Sequence, residues 1–325
     1  RNLTKPWTYR ASNGAKDIFT RIATGIPGTQ MPSFADPKAK MSLSIEDRWH
    51  LANYVVSLAA TSHEVRAENT VIKASRLDGE LPSDPGDKRW DGAETTTFML
   101  VPQMIAKDRV FKYANDTITL GAYYNDKDLA MLLEWDDRTK SIPGDADSDK
   151  IADKVPYSDA VAVQFPVALP KGTQKPYFAM GDATNPVNIL YWNSGTAQTP
   201  QSVGLVNARG FGETEKRAAA AQGITAKGAY QDGTWKVVMS RALLTGDAGN
   251  DLQLEEGLFI PIAFANWDGS NSETGSRHTL TTWYWLLLKP AETARPLIGG
   301  GATAIIVFAL LAWWARGARR KDPAA

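Results

Sequence analysis

Two helical patterns lie near the start of the chain. Ala15–Thr24 and Ser44–Leu58 repeat apolar residues at the three- and four-residue spacing of helices that pack on one side. Ser44 is followed three positions later by Asp47, which is typical of a helix N-cap. The intervening stretch, GIPGTQMPSF, holds too many Gly and Pro residues to be helical throughout. The pattern therefore predicts a small helical part over residues 1–60.

From residue 96 to residue 290 the pattern changes to short apolar runs separated by turn sequences such as NDKD, DDRT and WDGS. The runs that predict strands are Thr97–Val101, Thr117–Tyr124, Ala130–Trp135, Ala160–Phe165, Val187–Trp192, Trp235–Ser240, Leu258–Ala265 and His278–Leu288. This many short strands predict a mainly β fold, a β-sandwich. One stretch inside the region, Gly212–Gln222, is expected to be helical instead.

An uncharged apolar run lies near the end of the chain, at Leu297–Ala315. At about 1.5 Å per residue it would span roughly 28 Å, close to the thickness of a bilayer's hydrocarbon core. Trp313 and Trp314 precede a basic cluster, and the positive-inside rule places that cluster in the cytoplasm. We therefore expect a transmembrane helix over 296–316 and a cytoplasmic basic tail over 317–325. The rest of the chain should lie on the periplasmic face of the cytoplasmic membrane.

The composition narrows the classes of function. The 325 residues include 36 basic and 36 acidic side chains and no cysteine. The last ten residues hold four of the basic and one of the acidic side chains, so the remainder is mildly acidic, which argues against a nucleic-acid partner. The lack of cysteine excludes disulfides, iron–sulfur clusters and covalent haem attachment within these residues. Residues 61–95 are polar and predict a linker.

The helical part resembles the C-terminal half of a class I cytochrome c domain. The stretches that carry the resemblance are GIPGTQMPSF and EDRWHLANYVVSL. It implies that Met31 is an axial ligand of a haem c iron, a role that suits a soft thioether. The Cys-x-x-Cys-His attachment motif of that family is absent, and the chain opens with Arg, so we expect the domain to begin upstream of residue 1. The alternative is that Met31 is an ordinary core residue of a small helical cap.

The β-rich region resembles the ethylbenzene-dehydrogenase-type haem b subunit, the gamma subunit of exported molybdenum enzymes related to dimethyl sulfoxide reductase. Seven motifs in order carry the resemblance: LVPQM, LLEWDD, SDAVAVQFP, FAMGD, PVNILYWNSG, GLFIPIAFANWDG and HTLTTWYWLLL. The resemblance implies a β-sandwich with one non-covalent haem b between its sheets, whose iron is bound by a Met and usually a Lys. In this sequence the Met corresponds to Met180, and the Lys position is occupied by His278.

His278 departs from the family pattern in a way that chemistry allows. Imidazole binds haem iron well and is neutral at periplasmic pH. Without the family context, a His in a strand is more often a structural residue with a backbone partner. Arg277 could reach a haem propionate or a backbone carbonyl. If the register differs, the alternative ligands are Lys227, Lys236 and Lys289.

Two further acidic features have a structural interpretation. Asp145, Asp147 and Asp149 alternate as in a calcium loop, but the Gly and Glu that such a loop requires are missing, so we expect a solvated turn. Asp136, Asp137 and Asp268, close to Trp residues at strand ends, are expected to anchor turns. No catalytic constellation is present, so we do not expect catalysis by this chain alone.

These features predict a membrane-anchored electron-transfer subunit that carries haem b, and haem c if the attachment site lies upstream. The resemblance implies iron–sulfur and molybdopterin catalytic subunits as partners, a soluble or membrane electron carrier, and nitrate/nitrite, oxyanion or hydrocarbon chemistry. One alternative is an anchored carbohydrate-binding β-sandwich without haem, in which Trp192, Trp235 and Trp267 form a sugar platform. Another is a haem protein that works as a sensor or as a lone electron shuttle.

Overall fold

The computed structural model describes residues 3–4, 6, 9, 12–27, 31–39, 41–59, 70–151, 155–172, 174–219, 223–290 and 295–319. Its helices are α1 (Ala15–Thr24), α2 (Ile45–Ser57), α3 (Ala146–Ile151) and α4 (Arg295–Arg319). Its strands are β1 (Val71–Arg76), β2 (Thr95–Met99), β3 (Val101–Pro102), β4 (Thr117–Tyr124), β5 (Asp128–Asp136), β6 (Ala160–Pro166), β7 (Val187–Asn193), β8 (Ser202–Ala208), β9 (Thr214–Arg217), β10 (Thr225–Gln231), β11 (Thr234–Ala242), β12 (Phe259–Trp267), β13 (Thr279–Leu280) and β14 (Tyr284–Leu288).

The strands follow the order β10-β11-β5-β4-β1-β14-β12-β6-β7-β8-β9, with β2 beside β4 and β13 beside β12. The two ends of this order form two layers that pack face to face. Trp135 and Trp235 of the first layer contact Trp192 of the second, at ring-centroid distances of 6.2 and 5.2 Å. The prediction of a mainly β fold is confirmed.

Alternation along each strand decides which side chains fill the space between the layers. In β12, Ile262 and Phe264 belong to the main core, whereas Ala263 belongs to a separate cluster on the other face. In β7, Leu190 and Trp192 belong to the main core in the same way. The layer β12-β6-β7-β8 therefore has an inner face, buried against the first layer, and an outer face.

β1 overturns part of the predicted linker over 61–95. This strand lies in the middle of the strand order, parallel to both β14 and β4. Ile72 and Ala74 are fully buried, while the residues between them are polar or only half-buried. The half-polar composition hid a strand that has only one buried face. Residues 61–69 of the predicted linker lie outside the described residues.

The helix predicted over Gly212–Gln222 is wrong. The described residues of this stretch form β9, which pairs antiparallel with β8 from Leu205↔Arg217 onward. Its side chains are mostly exposed because it is the last strand of its layer. An edge strand of this kind lacks the apolar alternation by which a sequence pattern identifies strands.

The two N-terminal helices form as predicted. The backbone N–H of Asp47 donates to the Ser44 side-chain oxygen over 3.0 Å, which confirms the predicted N-cap of α2. The helices share a small core of Ile18, Ile22, Ala52 and Val55. A cytochrome c-like fold is not evident, because the described residues between 12 and 59 contain these two helices and no other.

Pro290–Ala325 forms a compact unit separate from residues 1–289, and its helix is α4. Among the described residues, no helix combines the length and the sustained hydropathy of a membrane span. The transmembrane helix expected over 296–316 is therefore not confirmed.

Candidate functional site

Met180 occupies a backbone conformation that its side chain disfavours. Its φ is 70°, in the left-handed region that few residues other than Gly adopt. The other described non-glycine residues with positive φ are Asp108, Asp232 and Ser272, all of them small polar residues common in turns. The half-buried Met180 side chain packs against the outer-face cluster that contains Ala263 and Trp283. Strain held at one long apolar residue indicates a functional position.

Hydrogen bonds on both sides hold the segment that carries Met180. Gln164 of β6 donates its amide N–H to the Phe178 carbonyl over 2.7 Å and accepts from the Met180 N–H over 3.2 Å. The indole N–H of Trp283 donates to the Pro176 carbonyl over 2.7 Å. The Gly210 N–H donates to the Met180 carbonyl over 2.9 Å. The sheet therefore fixes the backbone of Met180 while its thioether remains unbonded within the cluster.

Gln164 is a site residue that the sequence analysis missed. It is 7% exposed in a strand whose other residues are apolar, except for the proline that ends it. A buried amide is costly unless its polar atoms are bonded, and Gln164 uses both of them on one short segment. The feature of the sequence that could have identified it was a single Gln among the apolar residues of the predicted strand in SDAVAVQFP.

His278 lies at the start of β13, at another point of the same face. Its ring packs on that of Trp267, with the centroids 4.7 Å apart, and its Nδ1 lies 3.1 Å from the Thr279 carbonyl. Burial lowers the pKa of His278 to about 4, against the smaller opposing effect of the backbone hydrogen bond to Thr279. The imidazole is therefore neutral at neutral pH, which is the form that binds iron.

The two predicted haem b ligands are separated along β12. Met180 packs in the cluster of Ala263, whereas His278 contacts Trp267, four positions further, which corresponds to about 13 Å along a strand. Ala263 and Trp267 have the same parity, so both lie on the outer face of their layer. The structure thus places both residues on one face without bringing them together in one cluster.

A row of four paired residues crosses the sheet between these two positions; three are small, and the fourth is Tyr191, whose half-buried ring packs on Trp267. Ala265 of β12 pairs with Ala162 of β6, which pairs with Tyr191 of β7, which pairs with Gly204 of β8. A Cβ atom added to Gly204 would meet nothing closer than 4.0 Å, so the space above it is open. The soft thioether of Met180 and the neutral imidazole of His278 are donor types that haem iron accepts.

The packing of the core contradicts the expectation that the haem lies between the two sheets. The space between the layers is filled by large buried side chains, among them Trp135, Trp192 and Phe165. Met180 belongs to the opposite face of its layer. A haem on Met180 would therefore lie against the outer face.

The alternative ligands Lys227, Lys236 and Lys289 are each paired with a carboxylate. Lys227 is ion-paired with Asp84, Lys236 lies 3.4 Å from Glu134, and Lys289 lies 4.0 Å from Glu94. None of the three belongs to the cluster around Met180.

Arg277 and the aspartate run both have structural partners. The Arg277 side chain donates to the Ser272 carbonyl over 3.2 Å, as the backbone alternative predicts. In the run Asp145, Asp147 and Asp149, the Asp145 carboxylate accepts from the Ser148 N–H over 3.2 Å at the start of α3. The run is thus a helix start with exposed acids, in line with the predicted solvated turn.

Met31, the predicted haem c ligand, packs against the core of the two N-terminal helices. Its half-buried side chain belongs to the cluster of Ile18, Ile22, Ala52 and Val55. The structure thus supports the alternative interpretation of Met31 as a core residue. The haem c prediction gains no support.

The sugar platform of the carbohydrate-binding alternative is not formed. Trp192 is fully buried and Trp235 is 3% exposed, and both rings face the core. Of the three residues, only Trp267 is partly accessible, and its ring is covered in part by His278 and Tyr191. Buried indoles cannot stack on a sugar.

Comparison with known sequences identifies one family. A sequence profile described as ethylbenzene dehydrogenase matches residues 87–223 and 214–279. A Haloferax mediterranei protein, provisionally named respiratory nitrate reductase heme subunit ORF7, is 29% identical over 71% of this chain and 77% of its own length. The chlorate reductase subunit gamma of Ideonella dechloratans is 27% identical over 74% of this chain and 96% of its own length.

Comparison with solved structures gives a weaker likeness. A family 9 carbohydrate-binding module from Caldicellulosiruptor kristjanssonii, in complex with glucose, aligns with a TM-score of 0.38 and 12% identity. The alignment covers 68% of this chain and 97% of the module. The same module in complex with cellotriose also gives 0.38. TM-scores this low do not support any inference about function.

Proposed function

Because this chain belongs to the ethylbenzene dehydrogenase family, as a gamma-type subunit, we propose that it carries one haem b and transfers electrons within a molybdenum-containing oxidoreductase complex. The observation that carries the proposal is Met180, whose φ of 70° is maintained by hydrogen bonds with Gln164 of β6 and with Gly210 in the turn between β8 and β9. The family motif and the strained backbone coincide at one residue. A thioether held in this way is ready to bind a soft metal centre.

Within this proposal each site residue has a separate task. Met180 binds the iron on one side, and Gln164 keeps the Met180 segment in place. The family resemblance proposes His278 as the second ligand, and burial keeps its imidazole neutral. Because His278 lies about 13 Å along β12 from the cluster of Met180, binding to the same iron would require the His278 segment to move toward Met180. The floor of Ala162, Ala265 and Gly204 supports the flat group and excludes water from its inner side. The haem itself supplies one-electron transfer.

The relatives suggest the partners and the class of chemistry. Both are named as subunits of oxyanion reductases, one for nitrate and one for chlorate. We therefore place the chain with iron–sulfur and molybdopterin subunits that act on an oxyanion, ahead of the hydrocarbon class. A soluble or membrane carrier would exchange electrons with the haem on its exposed side.

We also propose that the chain lies on the periplasmic face of the cytoplasmic membrane. The support is α4, whose apolar side chains are exposed in its own unit: Ile305 and Phe308 are 72% and 77% exposed. The basic residues that follow, including Arg316 and Arg319, favour the cytoplasmic side by the positive-inside rule.

The proposal includes one haem and omits the c-type haem. A haem c on Met31 would have to displace the packing of α1 and α2, and covalent attachment requires cysteine, which residues 1–325 lack. The pyridine haemochrome of the purified chain should therefore show b-type haem without a c-type component. A c-type signal from these 325 residues would contradict the proposal.

Substitution of Met180 tests the ligand assignment. In Met180→Ala we expect the low-spin b-type spectrum to become high-spin and haem to be lost more readily, because the soft axial ligand is gone. The control is Met41→Ala, since Met41 is 68% exposed and lies in the N-terminal helical part, just before α2. The measurement is the reduced-minus-oxidised spectrum with the haem content of each variant. An unchanged low-spin spectrum in Met180→Ala would show that another residue binds the iron.

A further inference from the structure

Three carboxylates lie buried together where three strands begin or end. Asp137 follows β5, Asp159 precedes β6 and Asp268 follows β12. One carboxylate oxygen from each residue lies within 4.8 Å of the others, and the three residues are 3%, 0% and 3% exposed. The cluster lies at one end of the sandwich and joins both layers, because β5 belongs to one layer and β6 and β12 to the other.

The hydrogen bonds of the cluster leave one oxygen without a partner. Asp159 accepts from the Ser141 N–H over 2.7 Å, from the Trp235 indole over 2.9 Å and from the Gly269 N–H over 2.9 Å. Asp137 accepts from Thr139 through Oδ1, but its buried Oδ2 has no hydrogen-bond partner. A buried carboxylate oxygen without a donor is costly, and it points to a ligand that the three residues share.

Asp268 is held by hydrogen bonds to one of its two carboxylate oxygens. Its Oδ1 accepts from the Ser270 N–H, the Ser270 hydroxyl and the Asn271 N–H, over 2.7 to 3.2 Å. These bonds hold the carboxylate rigid. A carboxylate has about four lone-pair positions, so the cluster retains several after its hydrogen bonds are counted.

Within the described part of the chain, positive charge contributes little to the cluster. Among the ion pairs between described residues, none joins a Lys or Arg to Asp137, Asp159 or Asp268. The nearest basic influence is that of Arg138, whose side chain is exposed, on Asp268. Burial raises the pKa of all three carboxyls, to about 7 for Asp159, and repulsion between the carboxylates adds to the shift at Asp137 and Asp159. A bound cation would remove this cost, because it pairs with all three charges at once.

The backbone around the cluster is packed tightly enough to fix its shape. A Cβ atom on Gly269 would lie 1.8 Å from the Tyr157 carbonyl oxygen and 2.9 Å from the Ser141 Cβ. Gly269 donates to Asp159 and directly follows Asp268, so it brings two of the three strand ends into contact. The carboxylates are therefore held in place before any ion binds.

We propose that Asp137, Asp159 and Asp268 bind one hard divalent cation, calcium in the first instance, which ties the two layers of the sandwich together at this end. All three ligands are oxygen atoms, the donor type that calcium, magnesium and manganese prefer. Two oxygens bound to one calcium lie at most about 5 Å apart, since each is about 2.4 Å from the ion. The observed limit of 4.8 Å agrees with this spacing.

The test uses the full chain, with and without its metal. Metal content of the untreated protein is measured by mass spectrometry, and EDTA-treated protein is titrated with CaCl2 and, separately, with MgCl2. We expect about one calcium per chain. Calcium at a 100-fold excess over Kd should raise Tm by roughly 5 to 10 °C. Asp137→Asn should weaken calcium binding at least tenfold, and should abolish the effect on Tm.

Asp149→Asn is the matched control, because Asp149 is an exposed aspartate of α3 and is not one of the three clustered carboxylates. It should bind calcium as the wild type does. If Asp137→Asn does not fold, Asp268→Asn and the metal content of the wild type decide the question. The proposal would be overturned if the wild-type protein contained no divalent metal and if neither EDTA nor calcium changed its Tm. Protons shared among the carboxyl groups would then take the place of the cation. Loss of binding in Asp149→Asn alone would also overturn the proposal. None of these measurements depends on haem.

Discussion

At the scale of single residues, the site depends on one buried amide. Gln164 has the only side chain among the described residues that bonds to both the Met180 N–H and the Phe178 carbonyl. Asp182 supports the other end of the same turn by accepting from Thr184 and Asn185. Hydrogen bonds, first from Thr184 and then from Asn185, lower the pKa of Asp182 to about 2, so the turn stays anchored by a charged carboxylate at neutral pH.

Replacement of Gln164 by Leu tests whether Gln164 positions Met180, because the variant retains the Met180 thioether that binds the iron in our proposal. The variant keeps Met180 but leaves its N–H and the Phe178 carbonyl without their partners, which should lower the free energy of unfolding by about 1 to 3 kcal/mol. It should also shift the haem spectrum and the reduction potential, because the thioether is no longer held in one geometry. Gln198→Leu, at an exposed position, is the control. A less stable variant with an unchanged spectrum and potential would reduce Gln164 to a structural role.

Single residues also show which parts of the candidate sites could be predicted from the sequence. FAMGD identifies Met180 directly, since the motif is local. The carboxylate cluster could not be predicted in this way, because Asp137, Asp159 and Asp268 are brought together only by the pairing of distant strands. Each residue, taken alone, has the ordinary position of a turn acid. The prediction of turn anchors is correct for Asp268 and for Asp137, and Asp159 was not singled out from the sequence.

At the scale of elements, the strands that the sequence predicts are those with buried residues on both faces. β4 is predicted at its observed bounds, and β5, β6, β7, β11 and β12 within about three residues at each end. The strands that were missed are β1, β8, β9 and β10, in which half or more of the residues remain at least partly accessible. β9 and β10 are the terminal strands of the strand order, and β8 lies next to β9. β1 was missed because only alternate residues in it are buried and the residues around them are polar or partly exposed.

The central position of β1 can be tested with two neighbouring residues. Ile72 is fully buried in the main core, so Ile72→Ala should cost about 2 to 5 kcal/mol of unfolding free energy. Lys73, on the other face, is paired with Glu94 at 2.9 Å and is partly exposed, so Lys73→Ala should cost less than about 1 kcal/mol. Urea unfolding of both variants gives the comparison. If both variants lost an equal and small amount of unfolding free energy, β1 would be a peripheral segment, as the linker prediction implies.

At the scale of the whole molecule, the chain separates its tasks between units. Residues 1–289 contain the two-layer body with the candidate haem face and the carboxylate cluster, and Pro290–Ala325 contains α4. The apolar side chains of α4 are exposed around the helix, among them Ile305, Phe308, Trp313 and Trp314. A helix that is apolar on all sides needs apolar surroundings, which a lipid bilayer or a partner protein can provide.

The separation of units predicts that membrane association can be removed without loss of the haem site. A chain that ends at Lys289 should keep the b-type spectrum and the Tm of the full chain, because residues 1–289 form a compact unit by themselves. The full chain should float with liposomes in a density gradient, and the shortened chain should remain in the aqueous fraction, since it lacks the exposed apolar helix. Phe308→Lys in the full chain is the point-variant comparison and should weaken flotation, because a charge is costly in the hydrocarbon region. Full-length protein that stays in the aqueous fraction without detergent would contradict the proposed location, and would leave a partner subunit as the surface that covers α4.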